Sequence, residues 1–393
     1  MRVLILHNRY QLSGGEDTVV AQELNMLRER GHDAELLQTD NDAIQGIWSR
    51  VEAAVNSIYS RESYELVRSH IEEKRPDVVH VHNFYPRFTP SVFVACRDSG
   101  VPVVQTLHNF RIICPGTLLF RDGHVCQECV GRRVAWPGAL HGCYRGSKVG
   151  TAVVAAGIAV HRLRGTWKNG VTQYIALTEF SKNQFIAGGL PPAKITVKPN
   201  SVKDPGAGTH DGNFLLFAGR LTPEKGVRVL LEAASRNLFP LPLKILGTGP
   251  LSEEVAKARD SGEVQWLEEC HREEVIRLMK AATCLLFPSL WFEGMPMVLV
   301  EGLATGLPVV ASDLGSMSEL IRHEETGLHF EPGNVLAMSK CVSRLVSDLA
   351  LQAEIQRNAR AEFLEQFEPD VNMRRLVQIY EQAMAGPRLG SSM

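Results

Sequence analysis

The chain has 393 residues, of which 44% are hydrophobic and 22% are charged, and its formal net charge is −2. This composition is typical of a globular protein with room for two domains, and the small net charge argues against a general attraction to nucleic acid. No run of 18 apolar residues is present, and the short apolar start Met1–His7 predicts a buried strand rather than a signal peptide. We therefore expect a cytoplasmic protein whose eight cysteines are free thiols or metal ligands rather than disulfides.

Short apolar or β-branched runs alternate with helical stretches along the chain, which predicts parallel sheets covered by helices on both faces. In the first half the predicted strands are Val3–Leu6, Ala34–Gln38, Val78–His82, Val103–Leu107, Tyr174–Leu177 and Ile195–Val197. In the second half they are Phe214–Ala218, Lys244–Leu246, Val264–Leu267, Leu285–Phe287 and Val309–Ala311.

The alternation restarts after the Gly/Pro/Asp-rich stretch 204–213, which we predict to be a linker. The fold class predicted is α/β, with two doubly wound Rossmann-like domains facing a central cleft at the carboxyl ends of their strands. The N-terminal, acceptor-side domain covers residues 1–203 and carries an insert at about 110–146, and the C-terminal domain covers 212–368.

Two features of the first domain are candidates for ligand contacts. Gly14 and Gly15 follow the first strand, and glycines there let a ligand approach the backbone, although an ordinary turn is the alternative. His82 and Asn83 end one predicted strand and are predicted to lie on the acceptor side, and His108 follows the next strand, at the sheet edge where ligands bind. Each histidine could equally have a structural role.

The insert contains four cysteines, Cys114, Cys126, Cys129 and Cys143. The two residues between Cys126 and Cys129 are the spacing of a zinc knuckle, and the other two cysteines flank this pair. The pattern predicts a structural zinc site, in which His124 or His141 could replace one ligand. Unligated or redox-active thiols and a disulfide are the alternatives.

No Asp or Glu occurs between Cys129 and Thr178, whereas seven Lys or Arg flank the apolar run Val149–Val160. Basic residues around an apolar helix, with Trp136 nearby, suit the surface of an anionic membrane. Residues 129–178 therefore predict peripheral contact with the inner face of the cytoplasmic membrane. The alternative is a core helix with solvated ends. No nucleic-acid-binding module accompanies the basic residues.

Two cations in the second domain lie on one predicted strand-to-helix loop. The strand ends at Gly219, and Arg220 and Lys225 precede Gly226 and a helix. Arg can bind two phosphate oxygens at once and Lys supplies a mobile point charge, so this loop suits a diphosphate. A solvated surface loop is the alternative.

Glu293 and Glu301 are separated by seven residues, and a predicted helix begins near Pro296 as its first residue. The N–H groups of Met297 and Val298 would then lack helical acceptors and form an anion site between the two carboxylates. Such an arrangement matches the hydroxyls, diphosphate and ribose of a nucleotide sugar. An acidic turn followed by one solvated Glu is the alternative.

These residues belong to a longer ordered set: Gly219-Arg220, Lys225-Gly226, Gly247–Pro250, Pro288-Ser289, Glu293 with Glu301, Gly306–Ser312, and Gly315 with Glu319. The set resembles the family 4 glycosyltransferases, retaining enzymes of the GT-B fold, over almost the whole chain. Two departures are Asn200-Ser201, where the family often has Asn-Gly, and Gly315-Ser316, where many members have Gly-Gly.

The resemblance implies roles for individual residues. Arg220 and Lys225 would hold the donor diphosphate, and Glu301 would bind the ribose. Glu293 would bind sugar hydroxyls with help from the backbone of Gly294, Met295, Pro296 and Met297. The Gly14–Gly15 loop would lie over the donor phosphates, and His108 would contact the transferred sugar. Helix 369–385 would cross back to the first domain.

The function predicted is transfer of one sugar from a nucleotide-sugar donor to a lipid-linked or oligosaccharide acceptor in polysaccharide biosynthesis. No metal is expected in catalysis, since no acidic motif resembling a dedicated metal site is visible. The cysteine insert resembles that of a bacterial subset that builds surface polysaccharide. A nucleotide-sugar epimerase of the same fold and a non-catalytic, zinc-dependent membrane-docking subunit are the alternatives.

Overall fold

The structure is a computed structural model that describes residues 1–9, 15–39 and 58–386. These residues form two compact units. The first comprises Met1–Leu119, Gln127–Pro199 and the C-terminal segment from Asn372, and the second comprises Phe120–Cys126 and Asn200–Val371. The placement of residues 120–126 with the second unit was not anticipated from the sequence. The predicted glycine Gly14 lies outside the described residues.

The first unit contains a six-stranded parallel sheet in the order β2-β1-β3-β4-β7-β8. Its strands are β1 Arg2–Asn8, β2 Asp33–Thr39, β3 Val78–Asn83, β4 Val103–Leu107, β7 Gln173–Ala176 and β8 Ile195–Val197. Its helices are α1 Gly15–Glu29, α2 Arg61–Lys74, α3 Ser91–Asp98, α4 Trp136–His141, α5 Lys148–Leu163, α6 Thr166–Asn169 and α7 Glu179–Ala187. A short 3₁₀ helix, Pro192–Lys194, precedes β8.

The second unit contains a parallel sheet in the order β11-β10-β9-β12-β13-β14. Its strands are β9 Leu215–Ala218, β10 Leu243–Leu246, β11 Gln265–Trp266, β12 Cys284–Phe287, β13 Val309–Ser312 and β14 Gly327–Phe330. Its helices are α8 Val227–Ser235, α9 Ser252–Asp260, α10 Arg272–Ala281, α11 Met297–Thr305, α12 Ser316–Leu320, α13 Val335–Ser347 and α14 Leu349–Glu362. A π-helical turn, Phe363–Phe367, precedes α15 Pro369–Ala385, and β5 Phe120–Arg121 pairs antiparallel with β6 His124–Val125.

Two parallel sheets of six strands confirm the predicted α/β class. Every predicted strand is present to within two residues at either end, because buried parallel strands are continuous apolar runs that stand out in the sequence. The edge strand β14 and the β5–β6 hairpin were missed, since β14 begins with Gly327 and contains His329, and neither two-residue hairpin strand is an apolar run.

The last helix, α15, packs on the first sheet. Its residues Leu376, Ile379 and Tyr380 are buried in one cluster with Val3 and Ile5 of β1. This apolar contact anchors the C-terminal segment to the first unit. Within the described ranges, no helix combines the length and apolar character that crossing a bilayer requires.

Candidate active site

The loop after β9 carries the two predicted cations of the second unit. The chain turns through Gly219 and a 3₁₀ helix, Pro223–Lys225, and Gly226 then adopts a φ of 72° ahead of α8. A Cβ at Gly226 would collide with the carbonyl oxygen of Pro288. Only glycine permits this close backbone approach, which holds Lys225 against the segment that follows β12.

Glu293 lies in that segment and is 5% exposed. Its Oε1 accepts hydrogen bonds from Lys225 Nζ at 2.7 Å, Ser289 Oγ at 2.8 Å and Trp291 Nε1 at 2.8 Å. In the part of the chain that the structure describes, Oε2 has no hydrogen-bond donor. Three donors therefore orient the carboxylate and leave one oxygen to accept a bond from a ligand hydroxyl. Ser289 belongs to the Pro288-Ser289 motif, but the roles of Ser289 and Trp291 as donors to Glu293 were not predicted.

Lys225 differs from Arg220 in its surroundings. The Lys225 ammonium is bonded to Glu293 and lies 5.7 Å from the ring centroid of Trp291. Arg220 is exposed, and its side chain forms no ion pair with any residue of the described ranges. Arg220 is thus the uncommitted cation of the loop, whereas Lys225 is positioned by the carboxylate.

The helix expected near Pro296 begins one residue later than predicted. Pro296 is the N-cap of α11, with φ −73° and ψ 112°, and no side chain caps the helix. Because Pro296 remains extended, the first helical residues are Met297 and Val298, and their N–H groups have no acceptor within the helix. The helix therefore begins with two N–H groups that lack helical acceptors, and the anion site at this position stays a prediction.

Glu301 lies in α11, and its side chain is 14% exposed. Burial raises the pKa of Glu301, and the nearby Arg272 partly opposes this shift. Arg272 Nη2 lies 2.9 Å from Glu301 Oε1. Arg272 was missed because it is the first residue of α10, 29 positions earlier, and nothing in its local sequence indicates this partner.

In the first unit, His108 belongs to a chain of polar contacts. His108 Nε2 lies 2.9 Å from His82 Nδ1, and His82 Nε2 lies 3.3 Å from Glu23 Oε2. Glu23 Oε1 accepts from Lys198 Nζ at 2.9 Å, and Lys198 also donates to Asn372 Oδ1 of α15 at 2.8 Å. The predicted pair His82 and His108 is brought together, and it is connected to a buried ion pair that the sequence did not indicate.

The protonation of this chain follows from its neighbours. Burial alone would raise the pKa of Glu23, but Lys198 and His82 outweigh it and hold that pKa well below the ordinary value. An ionised carboxylate only accepts, so it favours the proton on Nε2 of His82. With that proton on Nε2, Nδ1 of His82 can accept from Nε2–H of His108, and Nδ1 of His108 remains as an acceptor. Burial, followed by the charge on His82, lowers the pKa of His108 well below its usual value.

His80 and Asn83 have structural partners. His80 contacts the Tyr380 hydroxyl at 2.7 Å and Thr106 Oγ1 at 2.8 Å. Asn83 donates to the backbone oxygen of Asn8, and its own side-chain oxygen accepts from a backbone N–H at 3.0 Å. Asn83, predicted for the acceptor side, thus organises the turn after β3.

Glu23, His80 and His82 have ligand-type atoms within 4.8 Å of one another. The Lys198 ammonium already lies 2.9 Å from Glu23. A divalent cation would have to compete with this buried positive charge, so the group is an internal ion-pair network rather than a fitting metal site.

Two predicted zinc ligands, Cys114 and Cys143, lie at one turn of the first unit, and a third, Cys129, packs against Gly138 of α4. A Cβ at Gly116 would lie 3.2 Å from Cβ of Cys143, and a Cβ at Gly138 would lie 3.4 Å from Sγ of Cys129. Cys114 begins this turn and accepts a bond from the N–H of Thr117. Cys126 belongs to the segment that groups with the second unit.

Comparisons with known proteins agree with this architecture. Residues 14–201 match the family model of the glycosyl transferase 4-like domain, and residues 202–362 match that of glycosyl transferases group 1. The two matches together span residues 14–362 and indicate a member of the GT-B glycosyltransferase families.

Among individual relatives, the amylovoran biosynthesis glycosyltransferase AmsK of Erwinia amylovora is 28% identical over 228 residues, which cover 53% of this chain and 55% of AmsK. The D-inositol 3-phosphate glycosyltransferase of Acidothermus cellulolyticus is 28% identical over 346 residues, or 80% of this chain and 69% of that enzyme. The chain spans about half the length of AmsK and of two other curated glycosyltransferases. The crystal structure of Anabaena HepE in complex with UDP superposes with a TM-score of 0.67 and 17% identity, covering 97% of this chain and 100% of HepE. At that identity the likeness establishes the fold.

Proposed function

We propose that the protein is a retaining family 4 glycosyltransferase that transfers a hexose from a nucleotide-sugar donor to a lipid-linked or oligosaccharide acceptor in polysaccharide biosynthesis. The observation that carries this proposal is the orientation of Glu293 by three donors to one carboxylate oxygen, beside the uncapped start of α11. The other oxygen would accept a hydroxyl of the donor sugar. The amides of Met297 and Val298 would bind the adjacent diphosphate.

The charges of the second unit suit the departure of a nucleoside diphosphate. Negative charge develops on the diphosphate as the bond to the anomeric carbon breaks, and fixed donors aimed at that charge lower the barrier. Arg220 and the helix amides would supply them, with Lys225 shared between the diphosphate and Glu293. We propose that Glu293 binds sugar hydroxyls and is not a nucleophile, and that catalysis needs no metal.

Other residues have proposed binding roles. Glu301 would bond the ribose, which would either displace its present partner Arg272 or bind Glu301 alongside it. His108 would contact the transferred sugar through Nδ1, and His82 would hold it in the required tautomer. The names of AmsK and of an O-antigen chain mannosyltransferase of Escherichia coli support a polysaccharide product, and the HepE complexes with UDP and UDP-glucose support a nucleotide-sugar donor.

A thermal-shift panel of UDP, GDP, ADP and their sugars tests the donor site, because a ligand specific for the folded state raises the Tm. We expect one nucleotide class to stabilise the protein.

Lys225→Ala should weaken the binding of that nucleotide by about 1.5–3 kcal/mol, the scale of a charged hydrogen bond. Arg228→Ala is the matched control, since Arg228 lies in the next helix and pairs with Glu254 at the surface.

Two results would contradict the proposal. A panel in which no nucleotide shifts the Tm would remove the donor site. If the protein epimerised the stabilising nucleotide sugar in an assay without any acceptor, the activity would be that of an epimerase and not of a transferase.

We propose in addition that Cys114, Cys126, Cys129 and Cys143 bind one structural zinc ion. The packing of Cys143 against Gly116, two residues after Cys114, supports this assignment. Elemental analysis should find one zinc per chain, and Cys126→Ser should lower both the zinc content and the Tm. Purified protein without zinc, with all four thiols reactive towards a thiol reagent, would exclude the site.

A further inference from the structure

Arg111 follows β4 in the first unit and lacks an anionic partner. Its Nε and Nη1 atoms are buried and have no hydrogen-bond acceptor, and no carboxylate of the described ranges pairs with it. Its guanidinium lies over the ring of Tyr85, 4.4 Å from the ring centroid. Two buried guanidinium nitrogens without acceptors are unfavourable, so this arrangement indicates a ligand that supplies them.

Tyr144 and Arg145 complete the surroundings of this guanidinium. Both lie in the α4–α5 connection, and the Arg145 guanidinium is 5.4 Å from the ring centroid of Tyr144. Burial and then the neighbouring Tyr144 phenol raise the pKa of Tyr85, whereas Arg111 and Arg145 oppose the rise. The four side chains therefore lie within interaction range of one another, and the raised pKa keeps the Tyr85 phenol a protonated donor.

The chain near this cluster contains cations and almost no acids. No Asp or Glu occurs at positions 99–121 or 129–178, which include Arg111 and the whole α4–α5 hairpin. The cluster also follows the carboxyl ends of β3 and β4, where parallel sheets bind ligands. Charge and position both favour an anionic ligand.

The hairpin that carries Tyr144 and Arg145 also exposes apolar side chains. Trp136 is 55% exposed, Leu140 57% and Val149 78%. Tight packing of Gly142 against the backbone of Lys148 places the end of α4 beside the start of α5. Apolar side chains next to cations suit a ligand that joins an anionic group to a hydrocarbon chain, and they suit an anionic membrane surface.

We propose that Arg111, Tyr85, Tyr144 and Arg145 bind the diphosphate of a lipid-linked acceptor, with the exposed apolar residues of the α4–α5 hairpin against the lipid. Arg111 would present two N–H groups to two phosphate oxygens, the phenols would donate one bond each, and Arg145 would add a second positive charge. This inference rests on the proposed function and specifies its acceptor.

Calorimetric titration with farnesyl diphosphate tests the site in an Arg220→Ala/Lys225→Ala background, which disables the proposed donor site. Arg111→Gln should weaken binding by about 10- to 100-fold, the range for a charged hydrogen bond. Arg111→Lys should recover only part of it, because a point charge lacks the paired N–H groups. Arg61→Gln, an 87% exposed arginine paired with Glu65, is the matched control. Arg145→Gln, at an exposed position, provides a second variant should Arg111→Gln fail to fold.

The lipid is tested separately from the diphosphate. Inorganic diphosphate should bind at least about tenfold more weakly than farnesyl diphosphate, given the apolar area available. The double variant Leu140→Ser/Val149→Ser should reduce the difference in affinity between farnesyl diphosphate and inorganic diphosphate. It should also co-sediment less than the unmodified chain with phosphatidylcholine vesicles that contain phosphatidylglycerol, and vesicles without phosphatidylglycerol are the reference. Equal affinity for the two diphosphates would overturn the lipid assignment.

Unchanged farnesyl diphosphate binding in both Arg111→Gln and Arg145→Gln would overturn the site itself. In the otherwise unmodified chain, Arg111→Gln should leave nucleotide binding intact. A failure of the acceptor site is thereby distinguished from a failure of the proposed transferase function.

Discussion

Replacing Glu293 with glutamine should lower kcat/KM for sugar transfer by at least about 100-fold, the scale observed when one preorganised polar partner of a transition state is removed. The substitution removes the charge that positions Lys225 at 2.7 Å, and it changes the acceptor presented to Ser289 and Trp291. The measurement is transfer of labelled sugar from the donor identified by the nucleotide panel.

Glu325→Gln provides the control for this experiment, since Glu325 is an exposed glutamate of the same unit. A double-mutant cycle with Lys225→Met should show strong coupling, because the two side chains contact each other. Transfer by Glu293→Gln at the rate of the unmodified protein would remove Glu293 from the site. Equal losses in kcat/KM and in the far-ultraviolet circular dichroism signal would indicate misfolding instead.

Replacing Glu23 with glutamine should lower the free energy of unfolding of the first unit by about 3–5 kcal/mol, since it leaves the buried Lys198 ammonium without its counter-charge. Lys198 is fully buried, and Asn372 and the carbonyl oxygen of Pro199 are its remaining acceptors. Hydrogen exchange in β1 and α15 measures the loss locally, and exchange in β9 of the second unit is the internal reference.

The double variant Glu23→Gln/Lys198→Met should recover much of that loss, because the uncompensated charge is then absent.

The pH dependence of the free energy of unfolding provides a second check. The pKa of Glu23 is lower in the folded than in the unfolded state, so the ionised carboxylate contributes to the free energy of unfolding at pH values above its unfolded-state pKa. This contribution is lost as the pH falls through the folded-state pKa. This acid-dependent loss should be absent in the double variant. A Glu23→Gln protein as stable as its parent would show that the ion pair makes no net contribution.

The two ion pairs at the centre of these predictions differ in how far the sequence indicated them. Glu293 and Lys225 both lie in recognisable turns at the ends of predicted strands, so their residue types predicted a shared site. Their direct bond was not predicted, because it depends on the close approach of Gly226 to the backbone of Pro288. Glu23 and Lys198 are separated by 175 residues and lie in an ordinary helix and after an edge strand, so no local pattern marked them.

The sequence by itself determined the α/β class, the positions of the strands and the set of residues at the strand ends, because apolar periodicity and turn residues are local properties of the chain. The tertiary structure decided which polar groups became partners. It paired Glu301 with Arg272 and connected His108 through His82 to Glu23. It also left Nε and Nη1 of Arg111, beside the Tyr85 ring, without an acceptor among the described residues. These pairings depend on the packing of segments that are distant in the sequence. The packing sets the distance between two side chains, their burial and the charges around them, and the local spacing of residues predicts none of the three.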